Sequence, residues 1–272
     1  MKYASLLHAC LLIIVINDTL CKSVKDYITD GIAAGKECLH KGCFWQGLFP
    51  SFGKYNFPSI RVFDSSDMVG EDQPNCYRIP ALMQHPQTGT LLAIAEARFG
   101  PKTGIFTACE DQSPLGLALK RSTDGGNTWS SATWAVPPTL TDPTDPTSNL
   151  GGNPVLVFDE TTDRILLHFV RGCSPLYSGC AVGTSNWETY SSDGGLTWSS
   201  PRDISAFLGE FVGIRPGPGT GIQLQRGANK GRLVVPAHYA SAYRSYGKDI
   251  VYYSDDSGAT WLVTNTPIHP GH

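Results

Sequence analysis

Short runs in which apolar and polar residues alternate, broken by turn formers, set the pattern of this chain. Segments 60–63, 81–83, 91–99, 115–120, 155–158, 165–170, 221–224, 232–236 and 250–253 each read as a β-strand. In 91–99, which follows the turn signal Gln87-Thr88-Gly89, period-two geometry puts Leu92, Ile94, Glu96 and Arg98 on one face. That face begins apolar and ends in two opposite charges, as a strand does when it leaves a core and enters a site. A short helical candidate, 24–36, and an aromatic, Gly-rich piece, 44–57, precede the strands; neither suggests a function. The pattern predicts an all-β fold.

A repeat sharpens that prediction. The sequence Ser-x-Asp-x-Gly-x-Thr-Trp occurs at 122–129, 191–198 and 254–261, with Asp124, Asp193 and Asp256 spaced 69 and 63 residues apart. An Asp side chain accepts backbone N–H groups across a tight turn, and Gly takes the positive-φ position. Each box therefore reads as a hairpin staple at the outer turn of a four-stranded propeller blade. Asp124, Asp193 and Asp256 are expected to be structural, not catalytic.

Three features together, the Tyr77-Arg78-Ile79-Pro80 opening, the Glu96-Ala97-Arg98 strand end and the repeated boxes, resemble the sialidase (neuraminidase) family, most nearly its animal lysosomal branch. The resemblance runs from about residue 60 to the last residue. It implies a six-bladed β-propeller, incomplete here with about half the blades, and an exo-α-sialidase: a retaining glycoside hydrolase that releases terminal sialic acid from glycoproteins, oligosaccharides and gangliosides. Arg78 matches the first of three family arginines that clamp the substrate carboxylate, a task suited to an always-charged, bidentate guanidinium. Arg98 matches a further substrate-contacting arginine, with Glu96 orienting an arginine. Asp111 matches the general acid/base, which protonates the leaving oxygen and then activates water; Glu110 is its neighbouring rival. Asn153 matches a position near the pocket. His238 and Tyr239 follow Val234-Val235-Pro236-Ala237, where relatives place tyrosines against the glycerol side chain. The segment Arg215-Pro216-Gly217-Pro218-Gly219-Thr220-Gly221 resembles a loop on the active-site side; it lacks the Lys-Ser/Thr ending of a phosphate loop.

The resemblance also has gaps. No residue here matches the nucleophilic tyrosine, its partner glutamate or the second and third clamp arginines, so the chain is expected to be inactive by itself, a fragment or a natural truncation. The rival reading from another class is a non-catalytic Asp-box propeller that binds glycans or proteins in the secretory pathway.

Composition and compartment narrow the partners. A formal net charge of −3 gives no basic field, which argues against nucleic acid and leaves anion recognition to local arginines. The 29 Gly and 19 Pro suit many short strands and turns. Residues 1–21 read as a secretory signal peptide, being too short in their apolar run for a membrane span, and no later stretch is long and apolar enough to cross. The expected organisation is thus leader 1–21, extension 22–59 and propeller 60–272. After the leader six cysteines remain, and an even count on the secretory route suggests disulfides: Cys38–Cys43 and Cys173–Cys180 are the easiest local pairs, and Cys76–Cys109 would tie the central stretch together. Zinc at Cys38-His40-Cys43 is the weaker reading, since no second ligand pair has suitable spacing. No cofactor or metal is expected. The one Asn-x-Ser/Thr sequon, at Asn17, falls in the leader. The resemblance implies a lysosomal location, an acidic working pH and a protective partner protein.

Overall fold

The structure, a computed structural model, describes residues 59–99, 109, 114–138, 152–172, 185–209, 214–239 and 248–264. The leader, the helical candidate, the Cys38–Cys43 and Cys173–Cys180 pairs, Glu110 and Asp111 all lie outside the described residues. From Phe63 onward the chain forms one compact unit.

That unit is all-β, with a single 3₁₀ turn (Ser205–Leu208) among the described residues. Strands β1 (Cys76–Gln84), β2 (Leu91–Arg98), β3 (Leu115–Ser122) and β4 (Thr133–Val136) form an antiparallel meander. A second is built from β5 (Gly152–Asp159), β6 (Arg164–Arg171), β7 (Ser185–Ser191) and β8 (Arg202–Asp203). The next stretch is broken into β9 (Ile214–Pro216), β10 (Gly219–Thr220) and β11 (Ile222–Gln223), because Gly and Pro interrupt it. β9 and β11 pair with β12 (Leu233–Tyr239), which continues into β13 (Lys248–Ser254) and β14 (Leu262–Val263) as a third sheet. β10 instead runs parallel to β5, and Thr220 Oγ1 donates to the Leu82 carbonyl of β1 at 2.7 Å. The first strands of all three sheets are thereby stitched side by side.

The boxes occupy equivalent places, joining β3 to β4, β7 to β8 and β13 to β14. In each, the carboxylate is occupied by its own turn. Asp124 accepts the Thr128 hydroxyl at 2.6 Å, the Thr128 N–H at 2.9 Å and the Ser122 hydroxyl at 2.8 Å. Asp193 and Asp256 repeat these bonds with Thr197 and Ser191, and with Thr260 and Ser254. The Thr128 hydroxyl and N–H, with Ser122 behind them, hold Asp124 at about 2, well below the usual carboxylate range. A charge so held belongs to the turn.

Two apolar cores separate the three sheets. One packs Leu92, Ile94, Leu117 and Leu119 of the first sheet against Leu156, Phe158, Ile165, Leu167 and Phe169 of the second. The other packs Val155, Val157 and Leu166 of the second against Leu233, Val235, Ile250, Tyr252 and Trp261 of the third. Consecutive residues of β5 thus serve opposite cores, as strand geometry requires, and a sheet covered on both faces reads as a near-continuous apolar run. All eight residues of strand β2 are buried, so Glu96 and Arg98 sit inside.

Candidate active site

Register alone puts the singled-out polar residues at one end of the sheets. Cys76 pairs with Arg98 and Arg98 with Leu115, whereas the first box begins at the far end of β3, where Ser122 pairs with Leu91. The same holds for β5, which opens at Gly152 opposite Val170, and for the close of β12, where His238 pairs with both Arg215 and Asp249. Arg78, Arg98, Asn153, Arg215 and His238 therefore share the end opposite the boxes. A shallow hollow lined by Tyr190, Asp193, Thr197 and Trp198 lies at the box end; its carboxylate is the one committed to the second turn.

At that end Arg98 is buried, with a side chain 3% exposed, and its guanidinium grips one oxygen of Glu96, Nε at 2.9 Å and an η nitrogen at 2.5 Å. A buried arginine needs such a partner, because leaving the charge unpaired costs several kcal/mol, on the order of 3–5. Its other η nitrogen donates to the Cys109 carbonyl at 2.9 Å. Arg78, exposed on β1, donates to the same carbonyl at 3.1 Å. The Cys76–Cys109 disulfide fixes that carbonyl beside β1. Two guanidinium groups thus converge on one oxygen atom, the Cys109 carbonyl.

Asn153 joins from the second sheet. Its backbone N–H donates to the second oxygen of Glu96 at 2.9 Å, and its side-chain nitrogen donates to the Pro216 carbonyl at 3.2 Å. Two bulges aim these groups. β1 shifts register between Arg78 and Ala81, with Ile79 at φ 52°, and β5 shifts between Gly152 and Val155, with Asn153 at φ 56°. A positive φ is sparsely populated for non-Gly residues, and for a β-branched residue such as isoleucine it is strained. Of the two, Ile79 is the strained one, and it stands next to the charged cluster.

His238 is half-buried on β12. Burial and the neighbouring Arg215 lower its pKa, opposed by Asp249, so it is neutral through most of the physiological range. Tyr239 pairs with Ile214 and Lys248 through the backbone. Asp111 lies outside the described residues, as does Glu110. Two arginines at this end were not assigned a role from sequence. Arg215 is exposed beside His238, and Arg171, at the end of β6, lies over the Trp187 ring at 4.5 Å. Arg171 closes β6 as Arg98 closes β2, but counted back from the box serines it matches Ala97, so superposing the repeats on their boxes would not have paired it with Arg98. No group of three metal-ligating side chains occurs among the described residues. No helix among them is long and apolar enough to cross a membrane.

Comparison with known proteins bears on the family and the fold. Residues 89–269 match the BNR repeat-like domain model. Sialidase-4 of Mus musculus is 33% identical over 206 residues, covering 68% of this chain and 39% of that protein. Sialidase-3 of Homo sapiens is 31% identical, covering 76% and 48%, and the sialidase of Micromonospora viridifaciens 34%, covering 70% and 29%. Among solved structures, the Hadza microbial sialidase Hz136 aligns with a TM-score of 0.59 at 23% identity, over 79% of this chain and 43% of that one. A leech intramolecular trans-sialidase complexed with 2,7-anhydro-Neu5Ac aligns at 0.56 and 21%, over 80% and 47%. The all-β fold is similar to that of these sialidase structures, consistent with a β-propeller, and the chain spans less than half the length of the curated relatives it matches. With its three boxes, its match to the repeat-domain model and these relatives, the chain belongs to the sialidase family of BNR-repeat proteins.

Proposed function

We propose that the chain carries the anion-binding part of a retaining exo-α-sialidase. The observation that supports this best is the convergence of Arg78 and Arg98 on the Cys109 carbonyl, where a sialic acid carboxylate would take both guanidinium groups. Asp111, two residues along the chain from Cys109, is the proposed general acid, protonating the glycosidic oxygen and then deprotonating water. Glu96 orients Arg98 from behind, and His238 and Tyr239 line the side of the pocket facing the sugar's glycerol tail. Sialidases use a tyrosine nucleophile in place of a second carboxylate. We assign that tyrosine, its glutamate and the remaining clamp arginines to the part of the relatives' length that this chain does not span, within a six-bladed propeller. The substrates in this reading are sialylated glycoproteins, oligosaccharides and gangliosides. An aspartic acid as proton donor suits an acidic compartment, so the leader and the resemblance together favour the lysosome, with a protective partner protein.

A protein of the relatives' full length tests this reading with a fluorogenic sialoside. Asp111→Ala is expected to lower kcat by about 10²–10⁴-fold while sialic acid binding persists. Unchanged turnover in that variant refutes the assignment. The 272-residue chain by itself is expected to show no turnover.

A further inference from the structure

Arg98 lies on the first sheet, yet part of what holds it comes from the second. Glu96 divides its two oxygens: one takes the Arg98 guanidinium, the other takes the Asn153 N–H at 2.9 Å. That approach passes close to residue 152, a glycine. A Cβ built there would stand 2.8 Å from the Glu96 oxygen, so the carboxylate end would have to shift. Asn153 reaches the oxygen from a left-handed backbone, φ 56°, and its side chain is fastened in turn to the Pro216 carbonyl of β9. The polar path Arg98–Glu96–Asn153–Pro216 therefore crosses all three sheets.

We propose that Gly152 and Asn153 form a positioning strut for Arg98: the Asn153 N–H holds one Glu96 oxygen so that the other presents the arginine to the substrate carboxylate. On this assignment Asn153 does not contact substrate through its side chain, and the arginine site is complete only when the second sheet is packed against the first. The inference rests on the reading of Arg98 as a substrate-binding group for its consequence, though not for its geometry.

The full chain tests it through two readouts. The first is water exchange of the Arg98 Nε–H, followed in ¹⁵N spectra and identified by its loss in Arg98→Lys. The second is the Kd for N-acetylneuraminic acid. Gly152→Ala is expected to speed the exchange and to raise Kd by about tenfold, because small misplacements of a binding group are costly. Asn153→Gly keeps the N–H but loses the fastening to Pro216, so both readouts are expected to move in the same direction as in Gly152→Ala and by less. If Gly152→Ala does not fold, Glu96→Gln decides, since an amide of the same shape has one acceptor oxygen for two donors and must release Arg98 or Asn153. Unchanged Arg98 exchange in Gly152→Ala, or in Glu96→Gln should that variant stand in for it, overturns the strut. A parent chain that fails to bind the sugar counts against the sialidase reading alone, and the exchange measurement still decides the strut.

Discussion

In the first sheet Ile94 pairs with Leu119; at the same places in the second, counted back from the box serine, His168 pairs with Glu188. Each pair lies under the next box. Gly195 of the second box comes so near the first sheet that an added Cβ would sit 2.5 Å from Leu92 Cδ2 and 3.4 Å from Leu119 Cδ2, and the Arg121 guanidinium donates to the Gly194 carbonyl. Gly258 of the third box approaches Leu166 and Glu188 in the same way, and the Arg202 guanidinium donates to the Gly258 carbonyl. The docking device is repeated, but one seam is hydrocarbon and the other holds a buried charged cluster. Glu188 accepts the Trp261 indole N–H at 2.9 Å and the Arg202 Nε at 3.1 Å. His168, fully buried, lies 3.6 Å from Glu188 and edge-on to Trp261 and Tyr252, with neither ring nitrogen hydrogen-bonded among the described residues. Both boxes dock through a close glycine, with an arginine on a carbonyl of the same turn (Gly194 beside the close Gly195 in one, the close Gly258 itself in the other), over either filling beneath.

The sharpest way to break the comparison is to make the second seam resemble the first. Glu188→Leu leaves the buried Trp261 N–H without its acceptor and takes the carboxylate from the part-exposed Arg202, and is expected to cost about 2–3 kcal/mol in urea unfolding. The double change His168→Ile with Glu188→Leu reproduces the oily pair and recovers at least about 1 kcal/mol of that loss. Equal losses in the single and the double would mean that the two residues are not coupled.

Next in size are the close glycines. Gly195→Ala and Gly258→Ala are each expected to lose about 1–3 kcal/mol from overpacking, in parallel across both seams, by the same unfolding measurement. A large loss at one and none at the other would deny that the docking device is shared.

Acid titration separates the fillings. Burial raises Glu188 to about 7 against the opposing pull of Arg202 and Trp261, and burial with the Arg202 charge lowers His168 to about 3. The raised carboxyl contributes stability that is full below its ordinary value of 4.5 and is lost as pH rises through about 7. The depressed imidazole contributes stability that is full above 6.5 and is lost as pH falls toward about 3. Between 4.5 and 6.5 the two cancel, since the pair holds one proton both folded and unfolded. Below 4.5 the imidazole dominates. Relative to the oily double variant, the parent is expected to lose about 2 kcal/mol between pH 4.5 and 3, with no relative change between 6.5 and 4.5. A steep relative slope in the upper window would contradict the shared proton count.

The smallest effect concerns the box tryptophans. Trp261→Phe removes a buried hydrogen bond to Glu188 and is expected to cost about 1 kcal/mol more than Trp198→Phe, whose indole nitrogen has no partner among the described residues. Thermal melts of the two variants compare them directly.

Much of this was readable in the sequence because the signals are local. The boxes carry their own turn chemistry within eight residues, and the strands they close show period-two apolar runs; β2, β3, β5, β6 and β13 lie where alternation puts them. Glu96 and Arg98, two apart on one strand, share a face by geometry alone. What was not legible depends on distant partners. The short β4, β8 and β14 have too few residues to show a period, and β10 leaves its own sheet for β5. The strut needs Glu96, Gly152 and Pro216 brought together, and nothing in a Gly-Asn-Pro triplet announces the oxygen it will meet. His168 and Glu188 read as isolated polar residues in apolar strands until their pairing is known.

The most direct test of the central claim, that Arg78 and Arg98 form a carboxylate site at the end opposite the boxes, is a calorimetric or NMR titration of this chain with two sugars, N-acetylneuraminic acid and its methyl ester. The account predicts saturable binding of the acid, weakened at least about tenfold for the ester, which lacks the charge the arginines recognise, and abolished in Arg98→Ala. Equal binding of acid and ester, or full binding by Arg98→Ala, would contradict it.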